Sequence, residues 1–212
     1  MSAEQIQAFF ESAPGQGIAA GAVILLFFFI LVSGKNKKTD TRGLVLSAIF
    51  VALYVVLNQL TLFRFPQGGS ITAFSMLAIT ACGYLLGTRR AVMAGMCAGL
   101  LELIFNPYVI HPLQLLLDYP LAVGALGFAG LIHSGKWSIP SGYLLGVLCR
   151  YLCVVLSGIL FFGAYAPEGF NAFTWSIYYN LIYIGAEMLI TLPILFLPPI
   201  RSTLQRLRNQ LV

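Results

Sequence analysis

Gly43-Leu-Val-Leu-Ser-Ala-Ile-Phe-Val-Ala-Leu-Tyr-Val-Val-Leu-Asn-Gln-Leu-Thr-Leu62 runs for 20 residues without a charged side chain, between Arg42 and Arg64. A helix of that length rises about 30 Å, the thickness of a bilayer's hydrocarbon core. The stretch predicts a membrane-crossing helix, and similar runs recur along nearly all of the 212 residues. Seven spans are expected, at about 15–33, 43–62, 70–87, 90–105, 113–133, 141–163 and 174–198. With 59% hydrophobic and 9% charged residues and a mean hydropathy of +0.89, the chain lies far from the roughly one-quarter charged content of soluble domains. The expected fold class is an all-α integral membrane protein, with no soluble domain of useful size.

The first span is apolar only from Gly17 to Val32, and Glu4 and Glu11 precede it without any Lys or Arg. It does not read as a signal peptide, which needs a positive leading region. Lys35, Lys37, Lys38 and Arg42 follow the first span, Arg89 and Arg90 the third, Lys136 the fifth, and Arg201, Arg206 and Arg208 the seventh. All four clusters fall on one side, which the positive-inside rule makes cytoplasmic. The N-terminus is then outside, with the loops at 63–69, 106–112 and 164–173. Topology thus accounts for the net charge of +5, and no nucleic-acid partner is expected. The chain divides into an N-terminal extension with an extra span (1–40), a membrane core (41–200) and a basic cytoplasmic tail (201–212).

Polar groups inside so apolar a chain carry the functional argument. Asn106-Pro-Tyr-Val-Ile-His-Pro-Leu-Gln-Leu-Leu-Leu-Asp-Tyr-Pro-Leu-Ala-Val123 holds one carboxylate, two tyrosines and three prolines. A carboxylate beside hydrocarbon costs at least a few kcal/mol, so Asp118 needs a partner, a wet cavity or a ligand. Glu102 and Asp118 flank the outer loop, while Glu187 is deeper. On the last span Trp175, Tyr179, Tyr183 and Glu187 recur every four residues, and Asn180 lies seven before Glu187, giving one aromatic and polar face. Interfacial anchoring accounts for Tyr178 or Tyr179; Asn180 and Glu187 need internal partners. Arg150, in mid-span, reads as paired with Glu187 or Glu102, as snorkelling to backbone carbonyls, or as a ligand contact.

The stretches 63–69 and 163–170 mix aromatics with Pro and Gly, as lids over a pocket or as plain helix connections do. Ala48 and Ala52, and Ala94, Gly95, Ala98 and Gly99, have the small-xxx-small spacing of close helix contacts, internal or with a partner. Cys82, Cys97, Cys149 and Cys153 form no CxxC pair and read as packing residues. His111 and His133 lie at opposite ends of one span and cannot share a metal; no metal or cofactor is expected. No metalloprotease, serine-hydrolase or phosphate-loop motif occurs. The set instead suits an aromatic organic cation: rings stack on Trp175, Tyr119 or Tyr108, Asp118 supplies countercharge and Asn180 hydrogen-bonds a ring nitrogen or amine.

The His111-Pro112 and Asp118-Tyr-Pro-Leu-Ala122 stretch, Ser157-Gly-Ile-Leu-Phe-Phe-Gly-Ala-Tyr-Ala-Pro-Glu-Gly169 leading into Ser176-Ile-Tyr-Tyr-Asn180, and Gly68-Gly-Ser-Ile-Thr72 with Ser75-Met76 come in an order and at separations that resemble one family. It is the thiamine-specific substrate-binding (S) components of energy-coupling factor (ECF) transporters, and the likeness covers about residues 42–200. The resemblance implies a six-helix S-component core plus the extra N-terminal helix, in a prokaryotic plasma membrane. It implies capture of thiamine from outside with high affinity, no enzyme activity, and partnership with a transmembrane coupling protein and two cytoplasmic ATPases, transport proceeding by toppling of the S component. It places ligand contacts on Tyr108, Asp118, Tyr119, Gly158, Phe162, Trp175 and Asn180, and the coupling-protein contact on Ala48 and Ala52. Asp118 stands where the family pattern has glutamate, Trp175 where it has tyrosine and Phe162 where it has tryptophan. Val154 replaces a histidine, and Phe63 or Phe65 stands in for a loop tryptophan. A thiamine precursor such as hydroxymethylpyrimidine is the next ligand. A rival without the family is a self-sufficient ion-coupled carrier using Glu187 and Arg150.

Overall fold

The computed structural model describes residues 41–135 and 137–211, with Ser12, Pro14, Gly17, Ile18, Gly21 and Leu25 as isolated positions. The span expected at 15–33 and the basic residues Lys35, Lys37, Lys38 and Lys136 otherwise lie outside the described residues.

The described chain is mostly helical: α1 (Thr41–Gln59), α2 (Ser75–Leu86), α3 (Thr88–Phe105), α4 (Pro112–Leu131), α5 (Ser138–Phe161), α6 (Ala172–Phe196) and α7 (Pro198–Leu211). Four of these, α1, α4, α5 and α6, are long and apolar enough to cross a membrane. α2 has 12 residues, about 18 Å of rise, and α3 carries Arg89, Arg90 and Glu102. The all-α expectation needs one correction. Residues 61–62 and 70–72, expected as the ends of two spans, join the 63–69 loop in an antiparallel hairpin of β1 (Thr61–Arg64) and β2 (Ser70–Thr72). Its turn is chemically determined: Pro66 fixes φ at the second turn position, and Gly68 takes φ +86, open to glycine at no steric cost. The hydrogen bonds from Gly68 N to Phe65 O and Phe65 N to Gly69 O close it.

α4 is the central helix. Leu117, Val123, Ala125 and Leu126 are fully buried, and α2, α3 and α5 pack around it. His111 caps it, Nδ1 accepting from Leu113 N at 3.1 Å, with Pro112 at the first helical position, where its missing N–H costs nothing. Further on, Pro120 removes a backbone donor and α4 widens into one π turn over Leu117–Leu121. α3 meets this turn through Gly99 and the stretch just after it through Gly95, where an added methyl group would overlap the Tyr119 and Val123 carbonyls. The stripe at 94–99 thus packs internally. α1 differs: Ala48 and Ala52 are exposed on its outer face beside Leu44, Ile49, Leu53 and Val56.

Leu197 precedes Pro198, which pushes it to an extended backbone (ψ 127) and ends α6. The stretch read as a tail is then helix α7. Its Leu204 and Leu211 pack on the core, Arg201 covers the Trp137 ring at 4.6 Å, and Arg208 covers Tyr84 at 5.0 Å and donates to the His133 carbonyl.

Candidate functional site

At the end of the bundle away from α7, α3–α6 and the hairpin enclose a cavity of about 380 Å³. Its first wall is the start of α4. Gln114, almost fully buried, donates to the Asp118 carboxylate at 2.6 Å and to the Tyr108 carbonyl at 3.1 Å, while its own oxygen accepts from Ile110 N at 3.1 Å. One amide therefore holds both the carboxylate and the 106–111 loop. The Tyr119 hydroxyl does the same, accepting from Tyr108 N (2.7 Å) and donating to the Asn106 carbonyl (2.9 Å). The π turn is what carries Asp118 and Tyr119.

The second wall is aromatic. Phe162, at the end of α5, stacks on Tyr108 with ring centroids 6.1 Å apart. Desolvation raises the Tyr108 phenol above its ordinary range, and the Tyr165 hydroxyl beside it adds to the rise, so it stays neutral and able to donate. On α6, Trp175 lies 5.7 Å from Tyr179, and Tyr179 lies 5.8 Å from Tyr183. A reciprocal capping box of Asn171 and Thr174 starts this helix just before Trp175. Asn180 is buried, accepting from Tyr183 Oη and donating to Ser176 O, both at 2.7 Å. Gly158 lets α5 approach α6 here, since a Cβ would sit 2.6 Å from Ser176 Oγ.

The hairpin closes the mouth. Gly69 N donates to Tyr179 Oη (3.1 Å), the Gln67 side chain accepts from Trp175 Nε1 (3.2 Å) and donates to Tyr165 O (3.4 Å), and Gly68 lies against the Tyr108 ring. Phe65 packs edge-on to Tyr179 at 5.9 Å. Both stretches read as lids meet here, through Gln67 and Tyr165.

The charged groups below the cavity are arranged differently from expectation. Arg150 makes no direct ion pair with Glu102 or Glu187. Its guanidinium donates to the fully buried Tyr54 hydroxyl at 3.2 Å, and Tyr54 donates to Glu102 at 2.6 Å. A phenol relays the pairing because it reaches from α1 between the two. Glu187 instead joins α6 to the start of α2: it accepts from Thr72 Oγ1 (2.5 Å), Ser75 Oγ (3.1 Å) and Met76 N (2.8 Å). Backbone amides at a helix start attract a carboxylate, and α2 has no side-chain cap of its own.

Tyr108, Asp118, Tyr119, Gly158, Phe162, Trp175 and Asn180 all line this one cavity, and Val154 lines it too. Arg150 and Glu102 reach it as well. Sequence reasoning did not single out Asn58, Gln114 or Gln67 as lining residues. Gln114 had a visible signal, a polar residue one turn before Asp118 on the same helix; Gln67 had none beyond its lid-like neighbours. Ala48 and Ala52 lie away from the site. Among the described residues no group of three or more His, Cys, Asp or Glu is placed to hold a metal ion.

A family model described as thiamine transporter protein (Thia_YuaJ) matches residues 44–206. The thiamine transporter ThiT of Bacillus subtilis (strain 168) is 33% identical over 171 residues, spanning 73% of this chain and 88% of that protein. The thiamine transporter ThiT of Lacticaseibacillus paracasei is 29% identical over 124 residues, spanning 50% of this chain and 62% of that one. Among solved structures, ThiT from Listeria monocytogenes is similar with a TM-score of 0.61 at 26% identity, over 76% of this chain and 97% of that one.

Proposed function

This chain belongs to the thiamine transporter (Thia_YuaJ) family, and from that premise we propose that it is a high-affinity thiamine-capturing S component of an ECF-type uptake system. Membership and the four long apolar helices make it a multi-pass membrane protein. We place α1–α6 as its six-helix core, the cavity facing outside and the basic end with α7 in the cytoplasm.

The observation that carries the reading is Asp118 sharing one cavity with Tyr108, Phe162, Trp175 and Tyr179. Thiamine is two aromatic rings, one a fixed cation. Asp118 is held by an amide rather than by a cation, so its charge is available to the thiazolium. Glu102, by contrast, is engaged through Tyr54 near Arg150. The rings supply stacking and cation–π contact, worth about 0.5–2 kcal/mol each as water is excluded. Asn180 and the Tyr119 edge read the aminopyrimidine. The cavity is within the ~300–1,000 Å³ range that encloses ligands of this size.

The relatives are named as transporters, which accords with a binding and transport role rather than an enzyme. We assign ATP hydrolysis to two partner ATPases, and contact with the coupling protein to the exposed Ala48 and Ala52 of α1. The self-sufficient carrier loses its motivating pair, because Glu187 is held at the start of α2 and not by Arg150.

Calorimetric titration of the purified protein with thiamine, its phosphate esters and hydroxymethylpyrimidine tests the reading. Nanomolar to submicromolar thiamine binding is expected. Tighter binding of the pyrimidine half would reassign the ligand to a precursor, a change for which Val154 in the lining gives room. No binding of any of the three would sink the proposal.

A further inference from the structure

Thr72, Ser75 and Met76 form the junction between the hairpin and α2, and the Glu187 carboxylate gathers all three. The Thr72 and Ser75 hydroxyls also meet each other at 2.7 Å. Between them stands Phe74 at φ +66, the one non-glycine residue with positive φ among the described residues. A left-handed backbone is uphill for an L residue with a side chain, and it persists only where its surroundings over-determine it. Here the clasp on either side of Phe74 does so. The other root of the hairpin is tied by Ala73 N donating to Leu60 O.

The same helix grips the hairpin twice. At the tip, Tyr179 and Trp175 hold Gly69 and Gln67. These contacts cross the cavity mouth and have to open when a ligand passes. At the root, Glu187 is only 3% exposed, two turns deeper than Tyr179 on the face that lines the cavity. It touches no ligand space itself, since it does not line the cavity. We infer that Glu187 is a positioning residue: its carboxylate is the fixed pivot of the β1–β2 hairpin and sets the closed position over the cavity. The bound molecule's residence time then depends on a residue that never touches it.

The ligand half of the inference rests on the thiamine reading; the hairpin half does not, and the test separates them. Thr72→Val removes one donor to the carboxylate while keeping a β-branched strand residue, and Glu187→Gln keeps shape and an acceptor but removes the charge. Without ligand, hydrogen exchange in detergent should show the amides of Phe65, Gly68 and Gly69 losing protection about tenfold or more in both variants, as expected for a lost hydrogen bond to a charged group. Amides of α4 and α5 should not change. With thiamine, stopped-flow tryptophan fluorescence should show a dissociation rate raised about tenfold with an association rate altered less than threefold. Unchanged hairpin protection, or exchange raised equally in every helix, overturns the pivot, the second outcome marking Glu187 as general support. If the unmodified protein binds no thiamine, the ligand reading fails while the exchange result still decides the pivot.

Discussion

At the level of single residues, the carboxylate of Asp118 is the sharpest point of attack. Asp118→Asn keeps a hydrogen-bonding shape beside Gln114 but removes the countercharge, and loss of a charge-assisted contact is worth about 1.5–3 kcal/mol. Thiamine affinity by calorimetry should fall roughly 10–100-fold, with little change in melting temperature. The two tryptophans provide a second prediction. Trp175 lines the cavity, whereas Trp137 stacks under Arg201 at the far end. Trp137→Phe should keep thiamine-induced fluorescence quenching, and Trp175→Phe should abolish it. In the candidate site, Asp118, Asn180 and the tyrosines stood out at this scale because burying polar groups in an apolar chain is costly, whereas Gly158 and Phe162 came only from the family resemblance. Their partners were not legible. Nothing in the local pattern says that Tyr54 of α1 relays Arg150 to Glu102, or that Glu187 finds Thr72, because these pairings join residues 48–115 positions apart.

Among the helices, two stripes of small residues with the same spacing have opposite fates. Gly99 presses on the π turn of α4, so Gly99→Leu has to displace the backbone that carries Asp118 and Tyr119. It should cost about 1–3 kcal/mol or more, lowering the melting temperature and thiamine binding together. Ala48→Leu on the exposed face of α1 should leave both unchanged in the isolated chain and instead weaken co-purification with an ECF coupling protein. Periodicity located both stripes, and only burial tells them apart. Helix ends were the least legible feature: the two outer ends of the hairpin were absorbed into spans because Thr61-Leu and Ser70-Ile-Thr read like helix ends, while 63–69 was expected as a loop. Turn chemistry at Phe65-Pro-Gln-Gly68 was the available signal. The π turn had Pro120 as its cause, visible as a proline inside a span, while the direction in which it aims Asp118 emerges only from packing on α3.

For the whole molecule, the cavity lies at the end where α1, α3 and α5 finish and α6 begins, and the basic residues of α3 and α7 lie at the other. Charge along the sequence predicted this separation, since the Lys and Arg clusters fall in every second loop and so on one side of the spans. With no Glu187–Arg150 pair to couple an ion gradient, liposomes holding this chain alone should accumulate no radiolabelled thiamine under a proton or sodium gradient. Adding the coupling protein and both ATPases with internal ATP should start accumulation; gradient-driven uptake by the chain alone would refute the S-component assignment.

The stacking of α7 across the basic end has a mechanical consequence. Arg201 on Trp137 and Arg208 on Tyr84 and His133 lace α7 to α2 and to the connection before α5, so the base is cross-braced by cation–aromatic contacts, whereas the hairpin tip at the rim is held by hydrogen bonds to Tyr179 and Trp175. On the proposed S-component reading, the laced base would keep its shape while the whole body reorients to deliver its ligand to the opposite face.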